Sequence, residues 1–364
     1  MRDPRYDVLF QPMAIGPVVA KNRFYQVPHC NGGGYRDPSA AAEMRGIKAE
    51  GGWGVIFTEQ TEMHHTSEIT PFIELRLWED QDIPALRKMA DRMKTHGALA
   101  GIQLAYSGIN GPNFYTKEVP LAPSAGPIRT FTNDPVQARA LDKGDIRNLR
   151  RWFVNAAKRS RVAGFDLICL YGAHGFGIFQ HFLSRATNMR TDEYGGSLEN
   201  RLRFAFRVLR DVRKRVGDRM LIGLRITADE DWEQGLSREE GIAICKTFRD
   251  SGLIDFLNII KGHIEHDAPL ADIIPVSGMR ASPHLDFAGE VRAITKFPVF
   301  HAARINDVAT ARHAIAEGKL DMVGMTRAHI ADPHIVRKVA EGRETEIRPC
   351  VGATYCLDRL YEGH

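Results

Sequence analysis

Three scarcities narrow the field. Cysteine is rare and odd in number: five among 364 residues, at Cys30, Cys169, Cys245, Cys350 and Cys356. That argues against a disulfide framework and for a reducing compartment, so the cytoplasm is expected. Long apolar runs are missing, and no stretch approaches the ~20 residues that a membrane span needs. The opening, MRDPRYDVLFQP, is charged and proline-bearing and carries no secretory apolar region. Charge of one sign is missing as well. Lys and Arg number 49 against 45 Asp and Glu, interleaved along the chain, for a net +4. No basic stripe stands out, so neither nucleic acid nor membrane is expected as a partner. Finally, no G-x-G-x-x-G follows the first strand, which leaves a dinucleotide-binding open sheet unsupported.

What is present is a regular alternation. Short β-branched or apolar runs at 22–27, 54–58, 98–104, 166–171, 221–226, 255–260, 298–302 and 321–325 read as strands. Helical patterns lie near 39–50, 82–97, 144–163, 199–216, 237–252, 286–295, 307–318 and 334–342. Asp145, Ser197, Ser237 and Asp307 are the expected helix caps. Eight βα units that use the whole chain predict an α/β fold, a closed (β/α)8 TIM barrel. Three stretches, 59–81, 105–143 and 172–196, are long for loops and show no clear helix or strand. They follow strands 2, 3 and 4 and so belong at the C-terminal mouth, where such barrels keep their active sites. The expected division is 1–345 for the barrel and 346–364 for a short cysteine-bearing tail.

The mouth carries the candidate chemistry. Arg304 follows strand 7, and Gly324 and Arg327 end strand 8, each ahead of a helix. Glycine admits close backbone approach, a helix start attracts an anion and arginine pairs it, which reads as a phosphate site. The plainer reading makes both arginines surface residues in helix-start turns. Gln103 and Arg225 interrupt otherwise apolar strands. A polar side chain there needs a partner: either a carboxylate inside the barrel, or the carbonyl and nitrogen edges of a heteroaromatic ring at the mouth. Tyr171 ends strand 4 with His174 three residues on, a phenol and an imidazole suited to proton transfer. Asp267, after strand 6, is placed to fix the tautomer of His174, unless the two are a structural histidine and a solvated aspartate. Cys30, in QVPHCNGGGY, is open to several roles: core filler, nucleophile or attachment point. A metal site is poorly supported, with only His29 near it in sequence.

The stretches NRFYQVPHC, AEGGWGVIFTE, GALAGIQLAYSG, AAKRSRVAGFD, YGAHGF, RTDEYGGSLENR and IADP resemble the flavin barrel of the Old Yellow Enzyme class. More narrowly, they resemble its trimethylamine, dimethylamine and histamine dehydrogenase branch, from near residue 5 to the end. The resemblance implies FMN at the mouth, its phosphate near Ala303, Arg304, Gly324, Met325 and Arg327. Gln103 and Arg225 would lie against the pyrimidine side of the ring, and a guanidinium there tunes such a cofactor. Pro28, His29, Cys30 and Glu59 complete the implied cofactor set, with Cys30 the counterpart of a cysteine bonded to C6 of FMN. Tyr171, His174 and Asp267 become the implied catalytic set for oxidative N-demethylation of a small amine, giving an aldehyde and a shorter amine. A small-molecule amine, an acceptor such as an electron-transfer flavoprotein, and a homodimer are the implied partners. The alternative on the same barrel is an FMN-dependent ene-reductase or 2,4-dienoyl-CoA reductase-like NAD(P)H oxidoreductase.

Two departures stand out. The positions that align with the aromatic, cation-binding bowl of the trimethylamine enzyme are Gln60, Ile264 and Leu360, none of them aromatic. With Glu59, Glu62, His263 and His266 nearby and Arg185 in possible reach, the expected substrate carries its own polar group, such as dimethylglycine, N-methylproline or sarcosine. The branch also holds a four-iron cluster on C-x-x-C-x-x-C plus a later cysteine. Here Cys350 and Cys356 flank Ala353. Two thiolates do not hold such a cluster alone, so either it is absent or a longer chain supplies the rest. The expectation is a barrel belonging to something longer.

Overall fold

All eight runs form strands, because each is short, rich in β-branched and aromatic residues, and covered by a helix on its outer face. The computed structural model describes residues 1–30, 34–68, 73–128, 136–264 and 267–361, without the side chains at 34, 267 and 361. The strands are β1 Phe24–Gln26, β2 Val55–Glu62, β3 Leu99–Ala105, β4 Leu167–Gly172, β5 Leu221–Thr227, β6 Phe256–Ile260, β7 Val299–His301 and β8 Met322–Gly324. All neighbours are parallel, and β8 pairs with β1 (Val323 with Phe24), which in turn pairs with β2. The sheet is therefore a closed barrel.

The covering helices are α1 Pro38–Glu50, α2 Ile83–Lys94, α3 Lys143–Ala163, α4 Leu198–Val216, α5 Arg238–Asp250, α6 Leu285–Thr295, α7 Val308–Ala316 and α8 Ile335–Ala340. Ser197, Ser237 and Asp307 cap α4, α5 and α7, each accepting a backbone N–H three residues on. Asp145 is not the cap of α3. Asp142 is, and Asp145 reaches back to its N–H as the other half of a capping box. The D-x-x-D spacing lets either aspartate look like the start.

Strand parity decides what enters the barrel. Leu167 and Cys169 on β4 and Leu221 on β5 turn inward, with Tyr25, Phe57, Phe256 and Phe300 filling the middle. Gly223, the residue of β5 between Leu221 and Arg225, makes room for that aromatic layer: a Cβ there would overlap the Phe256 ring. Gly223→Ala should therefore cost about 1–3 kcal/mol by overpacking, read as a lower urea midpoint with an unchanged slope. Below this layer a hairpin, Met13–Ile15 against Val18–Ala20, turns at Gly16 and stops the base, with Ile15 and Ala20 packed into the same cluster.

The three long connections contain more structure than their composition suggested. Strand β2 runs on to Glu62, and residues Leu75–Arg76 add a short parallel strand beside it. A small three-stranded sheet forms from Leu121–Ala122, Gly126–Pro127 and Gln137–Ala140. A helix, Ile178–Leu183, lies in the third. Polar side chains tie these segments down: Asn188 donates to the carbonyls of Phe182 and Tyr194, and Arg190 to Asp192 and the carbonyls of Pro123 and Leu141. The RTDEYGGSLENR stretch thus has a local scaffold role. Among the described residues no helix is long and apolar enough to cross a membrane.

Candidate active site

The same parity that fills the barrel builds its mouth. One layer above Gly101, Cys169 and Gly223, the inward positions of β3, β4 and β5 are Gln103, Tyr171 and Arg225, and register pairs Tyr171 with Arg225. All three line a cavity of about 480 Å³, within the range of a small-molecule or cofactor pocket. Arg225 Nη1 donates to Gln103 Oε1 at 3.0 Å, and its guanidinium lies 5.6 Å from the centre of the Tyr171 ring. So the inward arginine is held by an amide, and no carboxylate within the described barrel pairs with it.

The cavity gathers most of the residues singled out in the sequence. Pro28, His29 and Cys30 enter from the end of β1, and Ala303, Arg304 and Arg327 from the ends of β7 and β8. Gln60, His174, Ile264 and Leu360 line its other parts. Gly324 and Met325 are buried beneath the lining, and a Cβ on Gly324 would press on Val27, Ala302 and Tyr25. Glu59 is also behind the wall, its carboxylate 3.4 Å from Arg45. Asp267 begins the helix Asp267–Ile273, but its side chain lies outside the described residues, as does all of His266. Arg185 does not reach the cavity. It sits at the surface, paired with Glu240.

Tyr171 and His174 form a pair, phenol oxygen to Nδ1 2.9 Å. Burial raises the phenol's pKa, while burial and the nearby Arg225 hold His174 well below the ordinary imidazole value. Both groups are neutral at neutral pH. His174 sits at φ 63°, a strained backbone for a non-glycine residue. Its N–H donates to Thr227 Oγ1, and its carbonyl accepts from Ile264 N–H. Those two bonds fix the loop so that the imidazole meets the phenol.

Sequence reasoning missed Lys48 and Glu74, which both line the cavity. Lys48 is brought down to about 7 by burial and then by Arg45, and its ammonium donates to the Met44 carbonyl. Glu74 is pushed well above the usual carboxylate range by burial and by Glu59, eased by bonds to the Cys30 thiol and the Gln60 N–H. Cys30 therefore has a carboxyl beside it. No motif signals either residue; a lysine in a helix and a glutamate in a loop read as solvated charges.

The tail closes one side. Ser277 N–H donates to the Gly352 carbonyl, and Arg327 donates to Thr354 Oγ1 and the Pro275 carbonyl. Residues Tyr355–Tyr361 form a short helix that presents Cys356, Leu357 and Leu360 to the cavity. Cys350 is half-buried and Cys356 exposed. Among the described residues no group of three or more metal-binding side chains forms there or elsewhere. With Ala353 between the two thiols, the residues present do not complete a four-iron site.

Residues 8–346 match the NADH:flavin oxidoreductase / NADH oxidase family. The chain is 44% identical over 362 residues to the "Probable N-methylproline demethylase" of Rhizobium meliloti (strain 1021), covering 98% of this chain and 52% of that protein. It is 35% identical over 371 residues to dimethylamine dehydrogenase of Hyphomicrobium sp. (strain x), covering 100% of this chain and 49% of the relative. Histamine dehydrogenase from Rhizobium sp. 4-9 superposes with a TM-score of 0.92 at 61% identity, over 99% of this chain and 51% of that one. The chain spans about half the length of these relatives.

Proposed function

Since the chain belongs to the NADH:flavin oxidoreductase / NADH oxidase family, we propose that it is the FMN-binding barrel of an amine dehydrogenase that oxidises the C–N bond of a small amine, an N-methyl amine among the candidates. The Tyr171–His174 pair facing Arg225 across one cavity carries this reading. The demethylase and amine dehydrogenase relatives support it.

The mouth suits FMN. The Nε of Arg225 is buried with no hydrogen-bond partner among the described residues, while its Nη1 is occupied by Gln103. Arg304 Nε is in the same condition. Gln103 and Arg225 would hold the ring, and Arg304 and Arg327 with the backbone at Gly324 and Met325 the phosphate. Pro28 and His29 would flank the ring edge, and Cys30 would be the attachment point. Bound FMN supplies the two-electron acceptor for a hydride equivalent leaving the carbon beside nitrogen. The chain's own residues do the rest. Tyr171 meets the amine nitrogen in its neutral form with the lone pair available, and the hydrogen bond with His174 Nδ1 orients the phenol. Asp267 would fix the other ring nitrogen of His174. The apolar side chains of Phe176, Ile264 and Leu360 limit the water around the reacting carbon until the oxidised amine hydrolyses to aldehyde and shorter amine. An electron-transfer flavoprotein as acceptor, a homodimer as assembly and a cytoplasmic setting rest on the branch resemblance and on the cysteine content.

Anaerobic mixing with histamine, N-methylproline, dimethylglycine and dimethylamine should bleach the flavin with at least one of them. Reoxidation by an enone with no response to any amine would replace this reading with the ene-reductase one. In acid followed by filtration, flavin should stay with the protein, and should pass through in Cys30→Ala. Flavin that washes out of the unsubstituted protein makes Cys30 ordinary packing.

A further inference from the structure

Strand β2 carries a run of buried polar residues, Thr58 to Glu62. Its register against β3 slips between Phe57 and Gln60. Phe57 faces Gly101 and Gln60 faces Gln103, so one extra residue is accommodated on β2, a bulge. Thr58 Oγ1 accepts the Gln103 N–H there, in place of a ladder carbonyl. The bulge brings Gln60 to the cavity wall with Glu62 behind it.

The hydrogen bonds of Gln60 fix which atom the cavity meets. Its Nε2 donates to Glu62 Oε1 at 2.6 Å and to Ser107 Oγ at 3.0 Å. Both amide protons are thereby directed away from the cavity. The other oxygen of Glu62 is bonded to Ser67 Oγ, whose lone pair also accepts the Ser107 N–H. Burial raises Glu62 to about 8, but a proton on that carboxyl would lie toward Ser67. Glu62 Oε1 then remains an acceptor in either state, and turning the amide over would set oxygen against oxygen. Gln60 Oε1 has no partner among the described residues. Beside it stands Glu74, which accepts the Gln60 backbone N–H. The fixed acceptor of this wall is therefore Gln60 Oε1.

We propose that Glu62 is a positioning residue that holds Gln60 Oε1 toward the cavity, so that the site selects amines whose second polar group donates a hydrogen bond over amines whose second group is a carboxylate. The proposal deepens the amine dehydrogenase reading and rests on it for the identity of the reacting group. It shifts the expected substrate away from N-methyl amino acids and toward an amine bearing an N–H heterocycle or a second ammonium.

Two measurements on the FMN-loaded protein test it. In steady-state turnover, histamine should exceed N-methylproline and dimethylglycine in kcat/KM. Glu62→Leu should raise KM for histamine about tenfold, the worth of one hydrogen bond in a buried site, and leave kcat nearly unchanged. Glu62→Gln can still accept from Gln60 and should keep the wild-type KM, and dimethylamine should show the same KM in all three proteins. The second measurement needs no turnover. Imidazole and 1-methylimidazole, both neutral at high pH, differ in one N–H donor. Imidazole should perturb the flavin spectrum at about tenfold lower concentration, and Glu62→Leu should erase that difference. Equal binding of the two in the wild type overturns the proposal. So does a preference for the N-methyl amino acids, or a Glu62→Leu effect equal on every substrate. A protein that distinguishes the two imidazoles but is reduced by no amine keeps the acceptor wall and loses the amine dehydrogenase reading.

Discussion

Tyr171→Phe lowers kcat by about 10²–10⁴-fold while FMN remains bound and the fold intact. The ring stays, so its packing against Arg225 and Ala105 survives; only the hydroxyl that meets His174 Nδ1 is removed. His174→Gln gives a smaller loss, because the phenol keeps its place and loses only the imidazole that orients it. Rapid-mixing measurement of flavin bleaching reads the step directly. The pH profile separates this pair from a structural one. His174 is held well below its ordinary pKa by burial and Arg225, so it does not protonate as pH falls through the neutral range. The acid limb of kcat/KM nearest the amine's own pKa then belongs to the substrate ammonium, and Lys48, at about 7 on the cavity wall, is the group that would set a lower one. The former should move with the amine's own pKa and stay where it is in His174→Gln. A limb that disappears in that variant, or a Tyr171→Phe protein with normal kcat, removes the pair from the chemistry.

Arg225→Met in a Cys30→Ala background weakens FMN binding by roughly 10- to 150-fold, the span expected for losing hydrogen bonds from a charged group at about 1.5–3 kcal/mol. The second substitution is needed because a covalent bond would hide the loss. Methionine fills most of the volume on the inward face of β5, so the barrel should keep its thermal midpoint. Gln103, whose Oε1 accepts from Arg225 Nη1, lines the cavity, so water can replace the lost donor in the variant. Fluorescence titration with FMN measures the effect. Unchanged affinity would assign Arg225 to the barrel interior alone.

Much of this mouth was legible because parallel strands punish polar side chains. Gln103 and Arg225 announced themselves by interrupting apolar runs, and the structure places them together on inward positions with Tyr171. Glu62 was noted only as a nearby polar residue, since a bulge is invisible to periodicity: the inserted residue shifts the parity of everything after it. Lys48 was hidden for another reason. It lies on α1, where a lysine ordinarily faces water, yet it is buried beside Arg45 at the cavity. The link from His174 to Asp267 remains a sequence expectation, because the carboxylate falls outside the described residues. Arg185 shows the opposite error: a cation within the third long stretch at the mouth, but held at the surface by Glu240.

The hairpin that stops the base of the barrel bears on traffic. Ile15 and Ala20 pack beneath the aromatic layer, so among the described residues the barrel interior is filled from the base up to the mouth. On the proposed function, amine and aldehyde would both use the upper opening, where the tail helix already lines one side. A product still bound there would stand in the way of the next amine, so release and binding would compete for the same opening.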